Sequence, residues 1–335
     1  MMNRNYGKID GFDSLDEIQE HVLRSILAEG QKCAPRGMRT LELFPVNFTL
    51  NNPRKRCVLN PTRRWSLPLA LGEFCWHVSG SNHVSFIEYY APQWKQFAEE
   101  DLILGSCYGH RIFRPDVNNE SQWRRLITLL RKDPDSRRAV LTFNDPSLAL
   151  SVHAKDVPCS STAQFLIRSG ELHAFVCMRS NDAIWGLPYD VFFFTMLQEL
   201  LACELGVELG TYSHFATSLH LYERHFDLAN EIIHTSAFGS FEMPRMTDHH
   251  QLVDFLALEA NLRENWATSR NGDVQLSGYW KGFLSVLEWY SHVKRCGGYS
   301  KALLVRKSNA YAELLQNLVQ HNTEQAQEPR RLTSL

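Results

Sequence analysis

The chain has 335 residues, 44% of them hydrophobic, enough to bury one large core or two ordinary ones. Against 37 Asp and Glu stand 35 Lys and Arg, a formal charge of −2. That balance excludes a general attraction to nucleic acid or an anionic membrane, so any bound phosphate must be held by locally gathered arginines. No stretch approaches the ~18 uninterrupted apolar residues of a membrane span, and the first residues lack a signal-peptide core. A soluble, cytoplasmic chain is expected.

Residues 13–30 carry apolar side chains at helical spacing and stop at Gly30. Leu41 to Leu50 reads as one strand and Pro68 to Val78 as a buried helix containing Glu73. Residues 121–132 form a basic amphipathic helix, halted by Asp133-Pro134-Asp135. Ala139 to Phe143 is a short β-rich run. Gln164 to Ile167 and His173 to Cys177 flank a Ser169-Gly170 turn, as in a hairpin. Val191 to Leu205 is apolar on all sides and predicts a central helix. Residues 237–275 are polar, with one helical stretch from Leu252 to Trp266, and 276–321 read as one or two aromatic-rich helices. The last residues, 322–335, are polar and expected to be mobile. The simplest account is a single catalytic domain over 1–321, with its core at about 15–235 and a helical elaboration at 237–321.

Eight cysteines are scattered without CxxC spacing, which predicts reduced thiols rather than a disulfide framework. Neither His249-His250 nor Cys75-x-His77 makes a zinc set, so no metal is expected. A lone cysteine is most often a buried apolar side chain. Cys159 is set apart by its company: Asp133-Pro134-Asp135-Ser136-Arg137-Arg138 precedes it and Arg179-Ser180-x-Asp182 follows. Three arginines and a serine near one thiol can bind a phosphate ester and favour the thiolate.

The order Glu73-x2-Trp76, Trp94, Gly105-x2-Tyr108-Gly109, Arg137-Arg138, Pro158-Cys159-x4-Gln164, Arg179-Ser180-x-Asp182-x3-Gly186-Leu187-Pro188 and His220-x-Tyr222 resembles the thymidylate synthase superfamily. The resemblance covers roughly residues 15–235. It implies an α/β (α+β) fold, with a large mixed, bulged β-sheet packed by helices. It also implies a homodimer joined sheet to sheet, and a reaction between a nucleotide and the co-substrate 5,10-methylenetetrahydrofolate. Cys159 would attack C6 of the pyrimidine, and Glu73 would organise water and relay protons. Arg179 and Ser180 would hold the phosphate, with Arg137 and Arg138 reaching the partner subunit's phosphate. His220 and Tyr222 would bind the ribose. Asp182, Trp94 and Gly186 would meet the folate, and Asp182 or Tyr108 would help remove the C5 proton. Pro35-Arg36-Gly37-Met38-Arg39 stands where the family has its N-terminal phosphate loop, with Arg36 and Arg39 both open as the phosphate ligand.

One departure bears on the substrate. Where the synthases have asparagine, this chain has Asp190. A carboxamide satisfies the N3–H and O4 of uracil, whereas cytosine presents an acceptor at N3 and a donor at its amino group. A protonated aspartate, or an ionised one facing N3-protonated cytosine, fits that reversed edge. The resemblance is therefore to the cytidylate hydroxymethylase branch, in which water completes the reaction. Ser160 in place of the synthases' histidine agrees with a changed base, and the C-terminal residues lack the synthases' closing pattern. CMP is favoured over dCMP because small residues from Ser160 to Ala163 leave room, and because the C-terminus is unlike that of phage enzymes. Such cytidylate enzymes serve nucleoside antibiotic pathways. The alternatives are a dCMP hydroxymethylase, a dUMP-methylating synthase, and a catalytically silent nucleotide-binding relative.

Overall fold

A computed structural model of the protein describes residues 11–116, 119–235, 239–264, 275–296, 311, 312, 314 and 315. In chain order the elements are β1 (Gly11–Phe12), α1 (Leu15–Glu29), β2 (Gln31–Cys33), β3 (Thr40–Leu43), β4 (Val46–Leu50), α2 (Leu67–Val78), α3 (Val84–Tyr90), α4 (Tyr108–Phe113) and α5 (Gln122–Lys132). They continue as β5 (Val140–Thr142), α6 (Pro146–Ala149), β6 (Ser160–Arg168), β7 (Glu171–Met178), β8 (Asn181–Asp182), α7 (Gly186–Leu205), β9 (Glu208–Ala216), β10 (Leu219–Tyr222), α8 (Phe226–His234), α9 (Leu252–Glu264) and α10 (Gly278–Cys296).

The fold is mixed α/β, as expected, but its strands form two sheets rather than one. Six strands run in the order β1-β4-β9-β7-β6-β5 and four in the order β2-β3-β10-β8. The expected single strand from Leu41 to Leu50 is cut at Phe44-Pro45, and its halves join different sheets. Proline has no N–H for a ladder, which makes this the natural place to change sheets. A bulge at Ser160–Thr162 breaks the β6–β7 register where β6 begins, and a second irregularity at Leu172–Ala174 lies in the parallel pairing of β7 with β9.

Local chemistry explains the helices that frame the site. Ser14 caps α1, Leu15, Ile18, Val22 and Ile26 form its buried stripe, and a side chain at Gly30 would collide with the Ile26 carbonyl. Ser66 caps α2, which carries Pro68 in its first turn and buries all its residues fully except Leu69 and Glu73. Gly109 lies so close to α2 that a Cβ there would sit 1.8 Å from the His77 carbonyl oxygen. That approach stacks Tyr108 on His77, with ring centroids 5.4 Å apart. The central helix α7 is buried nearly all round and starts at Gly186, five residues before the expected Val191. Arg56, fully buried, pairs with Glu199 of α7.

The C-terminal helices share this core. Phe255 of α9 and Trp280 and Phe283 of α10 belong to the same apolar cluster as Trp76, and Tyr90 of α3 donates to Glu259 of α9 at 2.8 Å. The expected stretch from Leu252 to Trp266 is helical to Glu264; the rest of it lies outside the described residues. Of the expected helices over 276–321, α10 is described, while 297–310, 313 and 316–321 lie outside, as does the tail 322–335.

Candidate active site

The two sheets meet where β7 ends. Arg179 and Ser180 carry the chain from β7 into β8, which pairs in parallel with β10 so that Asp182 lies beside His220. Antiparallel pairing of β10 with β3 sets His220 opposite Glu42 and Tyr222 opposite Thr40. Alternate residues of these strands face one way, and they line a cleft of about 290 Å³. Its walls include Arg36, Cys159, Arg179, Ser180, Asp182, Gly186, Asp190, His220 and Tyr222, and also Thr40, Glu42, Asn181 and Ser218.

The thiol-bearing loop is clamped from two sides. Arg179 donates through Nε to the Pro158 carbonyl at 2.8 Å and through Nη2 to the Val157 carbonyl at 3.0 Å, with Nη2 3.7 Å from Cys159 Sγ. On the other side Asp156 accepts from the Gly105 and Ser106 amides, both at 2.7 Å, and from the Ser106 hydroxyl at 2.5 Å. Burial pushes the Cys159 thiol up to about 11; the Arg179 charge opposes this, and the charges of Asp190 and Asp156 add to it. The resting group is thus a thiol at neutral pH, held beside a guanidinium that can stabilise the thiolate once its proton has somewhere to go.

Two carboxyls, Glu73 and Asp190, act on each other electrostatically. Burial, with a smaller contribution from the Asp190 charge, raises Glu73 to about 8. Burial also raises Asp190 to about 7, against a lowering bond from Asn181 and with a further push from Asp182. Asp182 Oδ1 accepts from the Ile184 and Trp185 amides at 2.7 and 3.1 Å, fastening the turn into α7. The Tyr108 hydroxyl accepts from the Ser160 amide at 3.3 Å, next to the nucleophile in sequence. Burial and the neighbouring Cys159 and Asp190 charges keep that phenol protonated.

The family model described as thymidylate synthase matches residues 18–276. The chain belongs to the thymidylate synthase family. It is 32% identical over 211 residues to a deoxyuridylate hydroxymethyltransferase of Bacillus phage SP01, a match covering 60% of this chain and 55% of that protein. It is 31% identical over 200 residues to a deoxyuridylate hydroxymethyltransferase of Delftia phage PhiW-14, covering 56% of this chain and 55% of that protein. The chain thus spans little more than half the length of the curated relatives it matches.

Seen as a thymidylate synthase family member, the chain gathers most of the expected residues in one cleft and leaves some outside it. Tyr108 and Glu73 stand behind the cleft wall, coupled to it through Ser160 and Asp190. Trp94 packs edge-on against Trp76, 5.3 Å between centroids, and is not among the lining residues. Arg137 and Arg138 are exposed and do not line this chain's own cleft. Of the two N-terminal arginines Arg36 lines the cleft, whereas Arg39 pairs with Glu223 at 2.6 Å outside it. The room expected from Ser160 to Ala163 does not open on the cleft: Ser160 and Ala163 are fully buried in the sheet, and none of the four residues lines it.

Several residues near the site were not anticipated. Asn181, the unspecified position of Arg-Ser-x-Asp, is buried and bonds to Asp190 at 2.7 Å. Arg63, also buried, donates to the Ile184 carbonyl and lies 4.7 Å below the Trp185 ring. No sequence period marks either residue. Among the described residues, no group of three or more His, Cys, Asp or Glu is placed to hold a metal ion, and no helix is long and apolar enough to cross a membrane.

Proposed function

We propose that this protein hydroxymethylates C5 of a cytosine nucleoside monophosphate. The observation that carries the reading is Asp190, a carboxyl raised to about 7 on the wall of the cleft that also holds Cys159 and Arg179. A group titrating there can share one proton with cytosine N3 while accepting from the 4-amino group. Uracil would face it with an N3–H where a proton is already held and with O4 opposite an acceptor.

The sulfur of Cys159 adds to C6 of the base as its proton leaves, which places electron density on C5. Arg36, Arg179 and Ser180 hold the phosphate at the thiol end of the cleft, and His220 and Tyr222 face the sugar. 5,10-Methylenetetrahydrofolate supplies the one-carbon unit at the oxidation level of formaldehyde. An indole 47% exposed at Trp185, beside Gly186 and backed by the Arg63 guanidinium, offers a flat face for a planar ring at the cleft's rim. Asp182, or Tyr108 through water, takes the proton from C5, and tetrahydrofolate would leave the attached methylene, which water then attacks. Glu73, protonated at neutral pH, orients the water that supplies the hydroxyl. Elimination of the Cys159 sulfur then restores the 5,6 double bond. The expected dimer would bring Arg137 and Arg138 of each subunit to the other's phosphate, consistent with their exposure here.

Hydroxymethylation is supported by the names of both phage relatives. Those names also favour a second reading, deoxyuridylate as substrate, and the deoxyribo form of the sugar. The expectation of CMP has lost its argument from room. Tritium release from C5 of labelled CMP, dCMP and dUMP, measured side by side, decides among them. Release from a cytosine nucleotide, with tetrahydrofolate formed and a product heavier by one formaldehyde unit, is the expected result. Release from dUMP alone, or dihydrofolate as product, would refute the proposal, and no release from any of them would leave a silent relative.

A further inference from the structure

Asn181 lies on β8 with 2% of its surface exposed. Its backbone amide donates to the Ser218 carbonyl at 2.8 Å, which pins β8 against β10. Its side-chain Nδ2 donates to Asp190 Oδ2 at 2.7 Å, while its Oδ1 is buried without a hydrogen-bond partner among the described residues. A buried amide that leaves its own carbonyl unsatisfied to reach one carboxyl oxygen is held for that contact. Gly186 makes the contact possible. A Cβ there would lie 2.9 Å from Asn181 Nδ2 and 3.3 Å from Asp190 Oδ2.

We propose that Asn181 is a specificity-determining positioning residue, which fixes the face that Asp190 turns to the base. This rests on the reading of Asp190 given above. An oxygen already receiving an N–H is the better carbonyl and the poorer site for a proton. The Asn181 bond therefore makes Oδ2 the acceptor for the 4-amino group and leaves the shared proton between Oδ1 and N3. Without it the carboxyl turns freely, carries its proton on either oxygen and loses the cytosine pattern. The bond also favours the ionised carboxylate, so its removal holds the proton on Asp190 to higher pH.

The test is calorimetric titration of the full chain with dCMP and dUMP, without folate, from pH 6 to 9. It uses wild type, Asn181→Ala, Asp190→Asn and the double variant, each checked by its thermal melt. Asn181→Ala is expected to weaken dCMP about tenfold and dUMP little, and to move the pH above which dCMP binding falls upward by about half to one unit. In the Asp190→Asn background the same change should cost less than about threefold. Gly186→Ala, which displaces the amide without removing it, should reproduce the Asn181→Ala result and carries the test if the latter does not fold. An unchanged base ratio and an unmoved pH break in Asn181→Ala, while Asp190→Asn shifts both, would overturn the role of Asn181 alone. If Asp190→Asn shifts neither, the reading of Asp190 fails and this inference falls with it.

Discussion

Exchanging Asp190 for asparagine is the sharpest perturbation available, because it alters the base-facing atoms and almost nothing else. Asparagine has the same shape; with its N–H2 in the place of Oδ2 it gives up the bond from Asn181 Nδ2 now made at 2.7 Å, and the Asn181 amide is expected to turn over so that its unpartnered Oδ1 accepts from it. Against cytosine, the new N–H2 and carbonyl meet a donor and an acceptor in the wrong order. Each mispaired buried group costs about 1–3 kcal/mol, so cytosine binding should weaken by about 5- to 150-fold for one mispairing and more for two. The pH dependence is the stronger test. On the proposed reading the wild-type complex holds one proton between N3 and the carboxyl, whichever atom carries it. Free cytosine has lost that proton at neutral pH, and free Asp190 loses it above about 7. Below pH 7 binding takes up no proton; above it, binding takes up one, and affinity should fall about tenfold per pH unit. In Asp190→Asn that slope should vanish and uracil should become the preferred base. Calorimetry with dCMP and dUMP between pH 6 and 9 reads both effects. Parallel pH profiles for the two proteins, or an unmoved base ratio, would contradict the reasoning.

Glu73→Gln should stabilise the protein and inactivate it together. A carboxyl raised from 4.5 to about 8 contributes stability that is fully present below pH 4.5 and lost as pH rises through 8, a cost of about 3 kcal/mol at pH 7 that the amide removes. Denaturant melts at pH 5 and 7 should show most of the gain at the higher pH, with about 1 kcal/mol already present at pH 5. Asp156→Ala removes three bonds that tie the Cys159 loop to Gly105 and Ser106, and should cost about 2–4 kcal/mol and slow adduct formation, read by melts and single-turnover assays. Arg36→Ala should raise the nucleotide KM about tenfold or more, whereas Arg39→Ala breaks only its exposed pair with Glu223, worth under about 1 kcal/mol, and should leave KM within twofold.

Short motifs made much of the cleft's lining legible in the sequence. Cys159, Arg179, Ser180, Asp182, Gly186, Asp190, His220 and Tyr222 do line one cleft, because β8 and α7 are continuous with the motif that holds most of them. What depends on pairing between distant segments was not legible. The cut at Phe44-Pro45 was legible only as a proline within an apolar run, and nothing local says that the two halves enter different sheets. Nothing local separates Arg56 and Arg63 from their neighbours Arg54 and Arg64, yet both are buried, one paired with Glu199 and the other bonded to the Ile184 carbonyl. Asn181 stood in the open at a position taken as free. Its meaning comes from Gly186, five residues on, which leaves the gap its amide crosses.

On the proposed reading, base recognition and nucleophile activation are electrostatically one system in this cleft. The Asp190 charge is among the causes that hold the Cys159 thiol up near 11, opposed by Arg179 and Arg36. A base that shares a proton with Asp190 neutralises that charge in the complex, and so eases formation of the thiolate that must attack it. Cytosine can do this through N3, whereas uracil, which brings its own N3–H, cannot. The ligand-free enzyme allows the coupling to be measured. Above pH 7 the wild-type thiol is opposed by an ionised Asp190; in Asp190→Asn it is not. Alkylation of Cys159 by iodoacetamide at pH 8.5 should therefore run about two- to tenfold faster in Asp190→Asn, with Cys159→Ser as the blank for the other thiols. The difference should shrink towards pH 6, where both residues at position 190 are neutral. Equal rates at pH 8.5, or a difference that does not depend on pH, would separate the two functions and remove the reason for expecting cytosine to assist its own activation.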